Sequence, residues 1–286
     1  MPLGLSLHIG LNQVDPDRYD GWDGTLLACE NDARDMAALA RSRGFEPTLL
    51  LTPDGTADRV TAALDAAAAR LGPGDVLLFT YSGHGGRLPD APGGGERGTN
   101  GPGGTDDIEP DTYDETLVLR DRQFLDDEVR QAFRGFADDV RIVAVFDCCH
   151  SGSAIEVPAG GPERPAARHL PEPVRQRLAA RDHAFYQELR RALAARRPAP
   201  DDPVGGEGPG ALLLAACQDD QVALDGAVNG AFTGALLRVW DDGAFDGGYR
   251  AFHRAIRAAM PPTQVPNLHL TGSPAESFLD QRPFTV

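Results

Sequence analysis

No lysine occurs in these 286 residues: all 27 basic residues are arginine. A GC-rich bacterial coding sequence is the plain explanation. One consequence is that any cut in this chain after a basic residue must follow arginine. Basic charge is also scarce. Against 43 acidic residues the formal net charge is −16, which argues against nucleic acid, whose phosphates need a basic face. The same balance favours cationic partners, either basic peptides or divalent metal. Four cysteines, Cys29, Cys148, Cys149 and Cys217, two of them adjacent, make no disulfide framework in a chain this long. Reduced thiols and a cytoplasmic location are therefore expected. No apolar stretch approaches the length of a membrane span, and no basic flank precedes the first strand pattern. Neither a membrane partner nor a signal peptide is expected.

What the chain has is an alternation of strand and helix patterns. Residues 5–10 read as a strand, 29–44 as a helix ended by its glycine, and 47–51 as a second strand. Residues 56–71 give an alanine-rich helical pattern with Thr56 as its candidate cap, followed by an apolar run at 75–81. A glycine- and proline-rich stretch at 88–110 predicts a long loop. A helix is expected over 125–136, strands over 141–146 and 211–217, and helices near 230–240 and 249–260. This order implies an α/β fold, a mostly parallel central sheet with helices on both faces. Residues 1–157 read as one half, and 211–286 as a second half completing the same domain. Between them, 158–210 carries nine arginines and an apolar helical face of Val174, Leu178, Phe185, Leu189 and Leu193. It reads either as a surface helical insertion or as a removable linker.

Two apolar runs end in reactive side chains. One delivers Ser82-Gly83-His84-Gly85, the other Asp147-Cys148-Cys149-His150-Ser151-Gly152. The carboxyl ends of parallel strands are where open α/β sheets put their chemistry, and a thiol beside an imidazole suffices for covalent attack on a carbonyl. A zinc site fails on spacing, because adjacent cysteines without a second pair do not make a structural centre. No organic cofactor is expected.

These two motifs resemble the catalytic motifs of metacaspases, the caspase-like cysteine peptidases. Further runs are similar: Ile9-Gly10-Leu11-Asn12, Cys29-Glu30-Asn31-Asp32-Ala33, Leu125-Asp126-Asp127-Glu128, Ala216-Cys217-Gln218-Asp219-Asp220-Gln221 and Gly230-Ala231-Phe232-Thr233. The resemblance implies a caspase-like sandwich and a cysteine endopeptidase. Cys149, which directly precedes His-Ser-Gly, is then the nucleophile and His84 the general base and acid. Strand alternation sends Cys148 the other way, into packing. The backbone N–H groups of Gly85 and Cys149 are the expected oxyanion donors.

Substrate choice follows from the same resemblance. Caspases proper have glutamine two residues before the nucleophile, where this chain has Asp147. In metacaspases the matching aspartate and an earlier one line the primary pocket, which maps onto Asp147 and Asp32, with Cys29 and Ser82 as further walls. Two carboxylates accept a guanidinium and reject an acid, so cleavage after Arg, and Lys where offered, is expected on protein or peptide substrates. Asp32 could instead be a helix-dipole partner. Calcium-activated metacaspases carry four carboxylates that fall here on Asp114, Asp126, Asp127 and Glu156, and hard oxygen ligands suit calcium. A merely solvated acidic face is the alternative. Self-processing is expected in the insertion. Proline after Arg164 and Arg197 disfavours those two sites, leaving Arg168 and Arg196. The resemblance also implies a monomer. A catalytically idle caspase-fold scaffold is the rival from another class, and a transpeptidase on the same dyad stays open.

Overall fold

Near-continuous apolar runs dictate strands covered on both faces. The computed structural model describes residues 2–89, 113–149, 166–196, 209–218, 221–271 and 276–286. Among these, β1 (Gly4–Gly10), β2 (Glu46–Leu51), β3 (Val76–Ser82), β7 (Arg141–Asp147) and β8 (Ala211–Ala215) pair in parallel, and β9 (Asn267–Thr271) closes the edge antiparallel. The sheet order is β2-β1-β3-β7-β8-β9. All seven residues of β1 are buried although two are polar. His8 is accommodated as a neutral ring: its Nδ1 lies 2.8 Å from Thr80 Oγ1, and burial, with Arg41 nearby, pulls its pKa down to about 3.

Side chains alternate across this sheet into two cores. Leu77, Phe79, Tyr81, Ile142, Ala144, Phe146 and Cys148 face one side, under α2 (Ala57–Ala68) and α3 (Asp126–Arg134). Leu78, Val143, Val145, Cys149, Leu212 and Leu214 face the other, under α1 (Cys29–Ser42), α6 (Ala231–Trp240) and α7 (Tyr249–Ala259). Cys148 and Cys149 thus point to opposite faces. A short α8 (Glu276–Leu279) follows β9. No described helix is long and apolar enough to cross a membrane.

Of the local expectations, one holds and others needed tertiary correction. Gly44 ends α1 with φ of 90°, as a left-handed terminator should. Thr56 stands at the amino end of α2, yet its hydroxyl makes no cap bond; Asp121 Oδ1 accepts the Ala57 N–H at 2.9 Å instead. A second, antiparallel sheet of β4 (Gly85–Pro89), β5 (Tyr113–Val118) and β6 (Gln123–Leu125) has no counterpart in the sequence reading, and it places Leu88 in a buried strand. The insertion's single helical face is also revised. The chain breaks at Asp182 into α4 (Glu172–Arg181) and α5 (His183–Ala194), which pack into different clusters. Tyr186 is buried where Phe185 had been expected, and Phe185 is 49% exposed, while Leu189 and Leu193 face the core as expected. Val174 and Leu178 join Val14, Tyr19, Val118 and Leu170, while Tyr186 and Leu193 join Leu88 and Leu125.

Candidate active site

Register brings the first site residues together. Ser82 and Asp147 are direct partners at the ends of β3 and β7. Asp32, in the first turns of α1, reaches across so that Ser82 Oγ donates to its Oδ2 at 2.7 Å. Asp32 Oδ1 also accepts the Gly230 N–H at 3.0 Å, and Thr233 donates to Asp147 Oδ2 through both its N–H at 3.0 Å and its hydroxyl at 2.7 Å. Cys29 is buried among Arg168, Asp225, Ser82 and Asp32, and burial pushes its thiol up to about 12.

This acidic cavity is filled by the chain's own Arg168, whose side chain is 0% exposed. Its Nη2 lies 2.8 Å from Asp32 Oδ2 and 2.9 Å from Asp225 Oδ1; its Nη1 lies 3.0 Å from Asp147 Oδ2 and donates to Ser82 Oγ at 2.9 Å. Gly230 is required beside it, since a Cβ there would run into the guanidinium. Three carboxylates meet one cation. Burial, helped by the Asp147 charge, raises Asp32 to about 6, while the guanidinium pulls it the other way.

The backbone around Arg168 is bound as an extended strand. Asp225 N–H donates to Ala166 O at 2.8 Å, and Arg168 N–H donates to Ala223 O at 3.0 Å. The Arg168 carbonyl oxygen accepts two N–H groups, from Gly85 at 3.0 Å and Cys149 at 3.1 Å. On the far side Leu170 N–H donates to Gly85 O at 2.8 Å. Gly85 must be glycine for this approach, because a Cβ would overlap the Cys149 carbonyl.

His84 is buried beside this carbonyl. Its Nε2 lies 2.9 Å from Gly24 O, so Nε2 carries the proton and donates, leaving Nδ1 as the basic nitrogen, buried and without a partner among the described residues. Trp22 packs on the ring at 4.8 Å between centroids. Burial lowers His84 to about 4, with His169 and Arg168 adding to the depression. The Cys149 thiol is engaged elsewhere. Its Sγ lies 3.3 Å from Cys217 Sγ and 3.3 Å from Gln221 O, and is met by the Ala223 N–H. No hydrogen bond joins it to His84 among the described residues.

The remaining expected residues are placed elsewhere. Asp126 and Asp127 begin α3, where burial, with the charges of Asp127 and Asp114 opposing Arg130, raises Asp126 to about 6. Arg130 holds Asp126 at 2.6 Å and Asp127 at 2.9 Å, while Arg190 of α5 holds Asp114 at 2.7 Å. The three do not converge on one point, and the described residues contain no group of three ligands suited to a metal. Glu156, Arg164 and Arg197 lie outside the described residues. Arg196 is exposed just past α5, away from any ion pair among the described residues. Sequence reasoning missed Asp225, Ala223, Gly24 and Trp22. Only Asp225 carried a signal, as one more carboxylate after the Cys217 strand end.

With this geometry in hand, similarities to known proteins are informative. The family model described as the caspase domain matches residues 9–275. Metacaspase-1 of Mycosarcoma maydis is 34% identical over 167 residues, covering 54% of this chain and 37% of that protein. Metacaspase-2 of Trypanosoma brucei brucei is 29% identical over 186 residues, covering 58% and 48%. The chain thus matches between a third and a half of the length of these relatives. A crystal structure of a protein from Geobacter sulfurreducens has a TM-score of 0.83 and 41% identity, covering 100% of this chain and 99% of that one. Caspase-1 from Spodoptera frugiperda, with a TM-score of 0.55 and 11% identity over 95% and 86% of the two chains, shares the fold.

Proposed function

This chain belongs to the caspase-domain family, and from that premise we propose that it is a cysteine endopeptidase that cleaves after arginine and processes itself at Arg168. The observation carrying this reading is the seat of Arg168: guanidinium among three carboxylates, carbonyl oxygen on two backbone donors. In the proposed reaction the Cys149 side chain turns from Cys217 to the carbonyl carbon and gives its proton to His84 Nδ1. The Gly85 and Cys149 N–H groups stabilise the oxyanion, and His84 returns the proton to the leaving amine. With the segment seated, the thiol is engaged elsewhere and His84 is a weak base, so the closed form is slow. Lysine fits the pocket less well than arginine, since one ammonium cannot span the groups that two guanidinium nitrogens reach.

Calcium activation belongs to the same proposal. Its support is the nearness of Asp127 and Asp114 to Asp126, whose pKa burial raises to about 6 with those two charges adding to the rise; a divalent cation would relieve that repulsion. The described residues do not form a converged ligand set, so no step is routed through the ion. A cytoplasmic location and a monomeric state are proposed too, the first on four free cysteines, the second on resemblance to the family. Hydrolysis of a small arginyl reporter, with and without calcium, tests the reading. Wild type should turn over and Cys149→Ala should not. Silence of both under every cation condition would favour the idle scaffold.

A further inference from the structure

The leaving-group side of the 168–169 bond is anchored as firmly as the acyl side. Leu170, one residue beyond, is 2% exposed and packs with Val14, Tyr19, Val118, Val174 and Leu178, with Trp22 at the edge. Its N–H is bound to Gly85 O at 2.8 Å. The helix α4 begins two residues later, at Glu172, and is tied to the loop that carries Trp22: Arg177 pairs with Asp20, and Arg181 Nη2 donates to Arg18 O at 2.6 Å. None of these contacts involves the bond between Arg168 and His169, so opening it removes none of them.

We infer that this site also works as a peptide ligase on its own chain, cleaving and resealing the Arg168–His169 bond in place. The inference rests on the proposed Cys149–His84 chemistry and extends it to a second acyl acceptor, an α-amine held one residue before a buried aliphatic side chain. In the forward step the Cys149 sulfur bonds to the Arg168 carbonyl carbon, the C–N bond breaks, and the thiol proton passes through His84 to the His169 nitrogen. In the reverse step that amine attacks the thioester, the C–S bond breaks, and the amine proton returns through His84 to the sulfur. Hydrolysis needs water at the place the amine occupies. A nucleophile fixed at the reaction centre has an effective molarity of roughly 10⁵–10⁸ M, far above that of water. Resealing of a chain already hydrolysed runs the same path: the protonated Arg168 carboxyl and the Cys149 thiol give thioester and one water, and the amine then displaces the thiol. Holding both ends removes most of the entropy that normally drives hydrolysis, so the intact form stays well populated.

The test uses the full chain. Wild-type protein and its own nicked product, isolated after prolonged self-cleavage, are incubated separately and sampled on denaturing gels, where the 30.4 kDa chain separates from its fragments. Both should approach one common ratio of intact to nicked chain, and nicked protein alkylated with iodoacetamide should not reseal. Leu170→Asp, which frees the new amine, should raise the nicked-to-intact ratio at least tenfold. Nicked wild type that stays nicked while still hydrolysing an arginyl reporter overturns the ligase inference and spares the peptidase. A bond never opened, with the reporter cleaved, overturns it as well. No nick together with no reporter hydrolysis overturns both readings.

Discussion

Replacing Arg168 with glutamine should switch the pocket from occupied to open. The guanidinium lies 2.8 to 3.0 Å from Asp32, Asp225 and Asp147, with nothing exposed to water. Removing one partner of a buried ion pair costs about 3–5 kcal/mol, because the other charge is left unsolvated. Here that cost falls on the seated form alone, since water can hydrate the carboxylates once residues 166–170 lift away. At about 1.4 kcal/mol per power of ten, the seating equilibrium should shift by roughly two to three and a half powers of ten toward the open form. The visible gain is smaller, being capped by the rate of the fully open enzyme. The initial rate on an arginyl reporter should rise at least tenfold over uncut wild type, cleavage after residue 168 should vanish, and the Cys149→Ala double variant should be silent. Circular dichroism checks that the fold survives. A variant no faster than wild type would mean that Arg168 does not block the site, and the account of latency would fall.

Asp225→Asn should lower kcat/KM on arginyl peptides about thirtyfold, the low end of about 2–5 kcal/mol for a truncated buried charge pair, because two carboxylates remain. Asn keeps an oxygen for the Leu27 N–H that Asp225 Oδ2 now accepts at 2.7 Å, so a matched loss of thermal stability would point to a structural role instead. Gly85→Ala should cost at least about a hundredfold in kcat, since its Cβ would displace the Cys149 backbone that supplies an oxyanion donor; near-normal turnover would remove these donors from the mechanism. For pH, Asp32 is a carboxyl held high, at about 6, so its charge is present above that value and lost as pH falls through it. KM for arginyl peptides should therefore rise below about pH 6, while His84, near 4 in the closed form, stays neutral. A KM flat down to pH 5 would contradict the role of Asp32.

Local pattern was enough for the five parallel strands of the central sheet but not for β9, because strands buried on both faces must be largely apolar and β3 and β7 are. It was also enough to expect the ends of β3 and β7, and with them the segments carrying His84 and Cys149, side by side, since parallel strands in register end together; Ser82 and Asp147 were named from the family resemblance. The second sheet stayed hidden because its strands are short and two of them are separated by a long glycine-rich stretch. The helical face of the insertion was misread only at Phe185, because Tyr186 beside it, eight residues after Leu178, takes the buried position. What only the tertiary structure decided is who occupies the pocket. Asp32, Asp147 and Asp225 come from the ends of three separate segments, and Arg168 from a fourth. Nothing within any one segment encodes their meeting. A carboxylate's partner depends on which cation the folded chain can carry into a cavity closed to water, and that is a property of the whole fold.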